Sequence, residues 1–210
     1  MNRNIYLSVN RFAKDTAFAH GFMAFFALYG GVVLLGLILI FAWWKARSEF
    51  TSDPKRMARA IWGGLGTILA VIIAQPINHL VAEPRPYYTL RSVEVLVPRA
   101  NDFSFPSDHA TVAGAVIVAL WMVPKETKLA WAATIIGLFL MFARVYVGAH
   151  YPLDVVGGFV LGGATVVIFG TIFVPGLVKL DGLLDQVRIF RPLFQAGSAR
   201  SNASRRLENS

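Results

Sequence analysis

No cysteine occurs anywhere in the 210 residues. That excludes disulfide cross-links and thiol chemistry, and leaves the redox compartment open. Charge is scarce as well: Asp, Glu, Lys and Arg make up 15% of the chain, against 56% hydrophobic residues. Soluble domains run at roughly 45–50% apolar. The excess here is clustered into windows that approach or exceed the ~18–20 apolar residues needed to cross a bilayer. Histidine is rarer still, at four, and neither an internal repeat nor an HExxH-type ligand pair is present. A net charge of +8 could point to nucleic acid. In a chain this apolar, the placement of the basic residues matters more than their sum. The sequence therefore reads as an all-α, polytopic membrane helix bundle.

Hydropathy places five spans, at about Met23–Trp44, Ala58–Val81, Ala110–Met122, Leu129–Val147 and Val155–Leu177. The third is short and is expected to borrow length from the residues before it. Ile5–Phe18 is mixed in character and is expected to lie along the interface as an amphipathic helix, as is Lys179–Phe194 after the last span. Residues 1–193 read as one membrane domain. Residues 194–210 read as a disordered polar tail that could include expression-derived residues. Thirteen of the 20 lysines and arginines fall in the first and third loops and the tail. The positive-inside bias puts these in the cytoplasm, with the N-terminus outside and the C-terminus inside.

Three polar clusters then share the outer face: "NHLVAEPRPYY" (Asn78–Tyr88), "FPSDHA" (Phe105–Ala110) and "ARVYVGAHYPLD" (Ala143–Asp154). A loop of 25 residues, 82–106, joins the first two and is long enough to imply function. Each residue alone has an ordinary explanation. Arg85 and Arg144 could snorkel to headgroups, Ser107 could be a helix N-cap, and Asp154 could suit a helix dipole. Together they assemble a chemistry. Two arginines offer forks for a tetrahedral oxyanion, and a helix start at Ser107 offers free N–H groups beside a hydroxyl. His150 can attack phosphorus with Asp154, four residues on, to orient its ring, while His109 protonates the leaving oxygen. Metal binding by His109, His150, Asp108, Asp154 and Glu83 is the rival reading. The two arginines argue against it, since they would repel a dication and duplicate its role. No cofactor is expected.

These residues resemble the type 2 phosphatidic acid phosphatase family, whose signature is Lys-x6-Arg-Pro, Pro-Ser-Gly-His and Ser-Arg-x5-His-x3-Asp. "NHLVAEPRP", "PSDH" and "ARVYVGAHYPLD" match it in order and spacing. The resemblance implies that His150 forms a phosphohistidine oriented by Asp154, and that His109 serves as acid and then base. Arg85, Ser107 and Arg144 would hold the phosphate. The chain departs from the pattern at Asn78 (lysine in the family), Asp108 (glycine) and Ala143 (serine). Asn78 keeps hydrogen-bond donors, His79 could replace part of the lost charge, and the Asp108 N–H still serves the helix start, so both 78 and 108 stay in the expected phosphate site. "EPRPY", "SFPSDHAT" and "VGAHYPLDVVGG" look most like the bacitracin-resistance branch. That branch implies hydrolysis of undecaprenyl diphosphate at the outer face of a bacterial inner membrane. The alternatives are a phosphatase for phosphatidic acid or phosphatidylglycerol phosphate, or a protein that only binds or transports anionic lipid. Gly157, Gly158, Gly162 and Gly163 read as helix packing.

Overall fold

The structure, a computed structural model, describes residues 1–48 and 53–186. Eight α-helices and no strand occur among them, so the chain folds as an all-α membrane bundle. The N-terminal helix α1 (Asn2–Asp15) carries the expected amphipathic stretch, and a short 3₁₀ turn (Ala17–Ala19) follows it. Next come α2 (His20–Phe25), a π-helical turn (Phe26–Gly30) and α3 (Gly31–Ser48), which run on as one apolar stretch. Helix α4 (Pro54–Val81) starts where Asp53 accepts a hydrogen bond from the Arg56 N–H (3.2 Å) with proline in the first turn. A one-turn helix α5 (Pro86–Thr89), then α6 (Asp108–Met122), α7 (Thr127–Tyr146) and α8 (Pro152–Gln186) complete the order. Four of these segments are long and apolar enough to cross a membrane, and α6 is a shorter apolar helix.

Helix α6 differs from its expectation in an informative way. It takes Asp108 and His109 from the residues before Ala110 and no more, because Ser107 at the N-cap is extended (φ −74°, ψ 119°) and the helix starts after it. Fifteen residues rise only ~22 Å, less than the ~30 Å hydrocarbon thickness. The chain before α6 is held at this end by hydrogen bonds from the Ser107 N–H to the Asp154 carbonyl (3.1 Å) and from the Ser104 N–H to the Glu83 carbonyl (2.7 Å). The expected interfacial helix at Lys179–Phe194 is, as far as Gln186, a continuation of α8; its remainder and the tail lie outside the described residues.

Small residues set the pivotal contact. A Cβ on Gly162 would collide with the Thr111 carbonyl oxygen, one on Gly114 with the Phe159 carbonyl oxygen, and one on Gly158 would sit 2.5 Å from the Ser107 carbonyl oxygen. Helices α6 and α8 therefore meet backbone to backbone, as the glycine pattern implied. That contact sets Ser107 beside Asp154, whose carbonyl accepts from the Ser107 N–H at 3.1 Å. At the other end, buried Glu126 before α7 accepts from Lys45 of α3 (2.8 Å) and from Arg56 of α4. Breaking a buried pair of this kind strands a charge, so it fixes three helix ends together away from the polar clusters.

Gly162→Val should destabilise the protein by roughly 1–3 kcal/mol through overpacking. Gly64→Ala, where nothing lies within 4 Å of the added carbon, should leave stability unchanged or raise it slightly. Thermal unfolding of both variants in detergent checks the contrast.

Candidate active site

His150 is placed by a turn that requires glycine. Gly148, between α7 and α8, has φ +80°, and a side chain there would strike the Glu94 carbonyl oxygen. Two residues later His150 is 2% exposed. Its Nδ1 lies 2.8 Å from the Ser104 carbonyl oxygen, which can only accept, so Nδ1 carries the proton and Nε2 the lone pair. Two guanidiniums converge on that lone pair, Arg85 Nη1 at 3.1 Å and Arg144 Nη2 at 3.2 Å. Arg85 also donates to Asp102 (2.8 Å) and to the Ala149 carbonyl (3.1 Å), and Arg144 to the Ala27 carbonyl (3.2 Å). Burial, and then the charges of Arg144 and Arg85, hold the His150 imidazole well below its usual pKa, so it is neutral. Burial pushes the Asp102 carboxyl up, but the hydrogen bond and charge of Arg85 outweigh this and hold it below its usual range.

Asp154 reaches His150 differently from the expected direct pairing. Its Oδ2 is 3.8 Å from His150 Nδ1 and instead accepts from the Ser104 hydroxyl and from the Tyr151 N–H at 2.8 Å. Ser104 therefore binds the ring through its carbonyl and the acid through its hydroxyl. Spacing four residues apart puts the acid beside the ring, but the turn before α8 leaves the ring's N–H aimed at a loop carbonyl.

The α6 start brings in the second cluster. Ser107 occupies the N-cap position, yet its buried hydroxyl makes no capping bond and has no partner. A pure capping role is thereby removed. His109 Nε2 donates to the Leu28 carbonyl at 3.3 Å. Asp108 accepts from Gln75 at 3.2 and 3.3 Å. The Asn78 amide donates to the carbonyls of Phe103 (3.1 Å) and Phe105 (3.0 Å). Both of its hydrogens are engaged by the loop in this structure, while the residue also lines the cavity described below. His79, expected to lend charge, is exposed, packs edge-on against the Phe103 ring and does not line the cavity.

A cavity of about 200 Å³ gathers Asn78, Arg85, Asp102, Asp108, His109, Arg144 and His150 on one wall system. An apolar groove of about 280 Å³ adjoins it, lined by Tyr29, Val32, Val33, Val71 and Val112, and sharing Leu28, Asp108 and His109 with the cavity. Among the described residues no three His, Cys, Asp or Glu side chains converge as a metal site would need. A neutral imidazole lone pair between two cations can receive an anion and attack its central atom. Sequence reasoning missed Ser104, Asp102 and the Leu28 carbonyl. Ser104 and Asp102 sit in the long loop that was singled out, but nothing in their spacing says which side chain turns inward; the carbonyl carries no sequence signal at all.

The chain is 31% identical over 173 residues to the undecaprenyl-diphosphatase BcrC of Bacillus subtilis (strain 168), covering 82% of each chain. Its fold matches the crystal structure of Aquifex aeolicus LpxE, with TM-score 0.63 and 21% identity, over 81% of this chain and 94% of that one. It also matches a transmembrane PAP2 type phosphatidylglycerolphosphate phosphatase from Bacillus subtilis, with TM-score 0.60 and 21% identity, over 89% of each. Residues 59–175, which span all three polar clusters, match the model of the PAP2 superfamily, and with that match and the relative above the chain belongs to this family.

Proposed function

We propose that the protein hydrolyses a polyprenyl diphosphate, undecaprenyl diphosphate, to the monophosphate at the extracytoplasmic face of a bacterial inner membrane. The observation that carries this reading is the His150 lone pair held 3.1 and 3.2 Å from two guanidiniums in a buried cavity. The apolar groove that shares His109 and Asp108 with that cavity suits a substrate with a phosphate head and a hydrocarbon tail. The choice of a diphosphate leans on the relative named undecaprenyl-diphosphatase. The outward face leans on the distribution of basic residues.

The chemistry follows from the donors present. Arg85 and Arg144 bind the terminal phosphoryl oxygens, with the Ser107 hydroxyl and the Asp108 N–H at the α6 start as further donors. His150 Nε2 forms a bond to the terminal phosphorus as the bridging P–O bond breaks. His109 gives its proton to the departing lipid monophosphate. Positive charge on the phosphorylated ring is met by Asp154, with Ser104 accepting the Nδ1 hydrogen. A water deprotonated by His109 then attacks phosphorus, releasing inorganic phosphate and restoring His150. Asn78 fixes the loop over the cavity and does not touch substrate. Two cations already supply the charge that a metal would bring, so the reaction runs without one.

The direct test is phosphate release in detergent with EDTA present, comparing undecaprenyl diphosphate with phosphatidic acid. The diphosphate should be preferred, EDTA should not lower the rate, and His150→Ala should lose on the order of 10³-fold or more. Preference for phosphatidic acid would move the protein to phospholipid turnover. Loss of turnover with EDTA, restored by magnesium or zinc, would overturn the metal-free route.

The pH dependence carries a sign. Neutral His150 is the attacking form, and its pKa is held well below the ordinary 6.5. Activity should therefore persist well below pH 6.5 and fall only as the ring finally protonates. Removing one of the two cations relieves the suppression, so Arg144→Ala should move the acid limb of kcat/KM upward while lowering its maximum. An acid limb unchanged in that variant would show that the limb does not belong to His150.

A further inference from the structure

A second carboxyl meets Asp154 behind the ring. Asp154 is 0% exposed, and while Oδ2 has two donors, the buried Oδ1 has no hydrogen-bond partner. The Glu83 side chain, in the turn between α4 and α5, lies within hydrogen-bonding reach of the Asp154 carboxyl. Glu83 is pinned there by its backbone, whose carbonyl accepts from the Ser104 N–H at 2.7 Å. Ser104 thus joins all three groups: it holds His150 by its carbonyl, Asp154 by its hydroxyl and Glu83 by its N–H.

Two ionised carboxylates in such contact repel, and neither can donate to the other. One proton between them turns that repulsion into a hydrogen bond and satisfies the orphaned oxygen. We propose that Glu83 is a positioning residue that holds this proton and donates it to Asp154 Oδ1, so that the pair presents a single negative charge to His150. The surroundings fit a single charge. On the inner side stand His150 at 3.8 Å and, beyond it, Arg85 with its partner Asp102, then Arg144 and His109. On the outer side, Arg3 and Asn2 of α1 line a separate cavity of about 320 Å³ with Glu83 and Tyr151. A doubly ionised pair would pull a proton onto His150 and quench its lone pair. A neutral pair would leave the phosphorylated ring without a counter-charge.

The kinetic consequence rests on His150 being the nucleophile, but the shared proton can be read without turnover. Infrared difference spectra of the detergent-solubilised protein near neutral pH should show a protonated-carboxyl band in the wild type. That band should vanish in Glu83→Gln and in Asp154→Asn alike. A band that persists in Glu83→Gln, or a wild type without one, overturns the proposal. In turnover, Glu83→Ala should lower kcat roughly 10- to 100-fold with KM nearly unchanged. Glu83→Gln should recover most of that loss, because its amide N–H can replace the shared proton. Equal losses in the two variants would overturn the donor role. If His150→Ala keeps full turnover while the band behaves as stated, the shared proton stands and the nucleophile assignment falls.

Discussion

The constraint on which this structure depends is the confinement of two like charges around one nitrogen. Arg85 and Arg144 both reach His150 Nε2, and both are buried, at 6% and 5% exposure. Guanidiniums stay charged in proteins and are planar forks, so their convergence makes a positive concavity with fixed directions. Such charges must be held against mutual repulsion. The holding groups are Asp102, the carbonyls of Ala149 and Ala27, and the imidazole lone pair itself. Those groups come from the long loop between α5 and α6, the turn before α8 and the π-helical turn near Leu28. Almost every element at this end of the bundle is therefore recruited to keep two cations in place.

Getting these elements to one point is a packing problem, and glycine solves it. The backbone contact between α6 and α8 is possible only because Gly114, Gly158 and Gly162 carry no side chain. It sets the start of a short helix beside the start of a long one. Because α6 begins after an extended Ser107 with no side-chain cap bond, its first-turn N–H groups have no intrahelical partners. Because Gly148 takes a left-handed turn, His150 is delivered inward and not toward lipid. The opposite end is closed by buried Glu126 paired with Lys45 and Arg56, so relative sliding of α3, α4 and α7 is resisted away from the site.

Much of this was legible in the sequence because it follows from periodicity and sidedness. Spans alternate direction, and that alone brought Arg85, His109, Arg144, His150 and Asp154 to one face. What stayed hidden depends on where a backbone turns. Ser104 is one serine in an apolar-aromatic stretch, and its three hydrogen bonds to the site exist only once the loop folds over α6. Asn78 looked like a donor to substrate because of its place in the motif, and in this structure the same loop engages both of its hydrogens. Arg56 counted as an inner-loop charge, yet it is 2% exposed and paired with Glu126 across 70 residues of sequence. Long-range pairing of this kind leaves no local pattern.

The two arginines also explain how one site can hold a histidine neutral and then tolerate it as a cation. With the cavity's positive charge facing it, protonation of His150 is opposed, and the lone pair stays available. An arriving phosphate brings negative charge to those same guanidiniums and cancels the field that suppressed the ring's charge. In the proposed reaction, the barrier to forming a phosphorylated, positively charged imidazole thus falls in the complex relative to a bare protonation. Asp154, at 3.8 Å and tethered through Ser104, is then the nearest counter-charge on the ring's far side. An acid in direct hydrogen-bond contact would stabilise the cation before substrate arrived as well as after. Interposing a serine weakens that attraction in the resting protein and keeps it for the state in which charge develops. In the reaction proposed above, the indirect His–Asp contact is therefore part of how the nucleophile is kept ready.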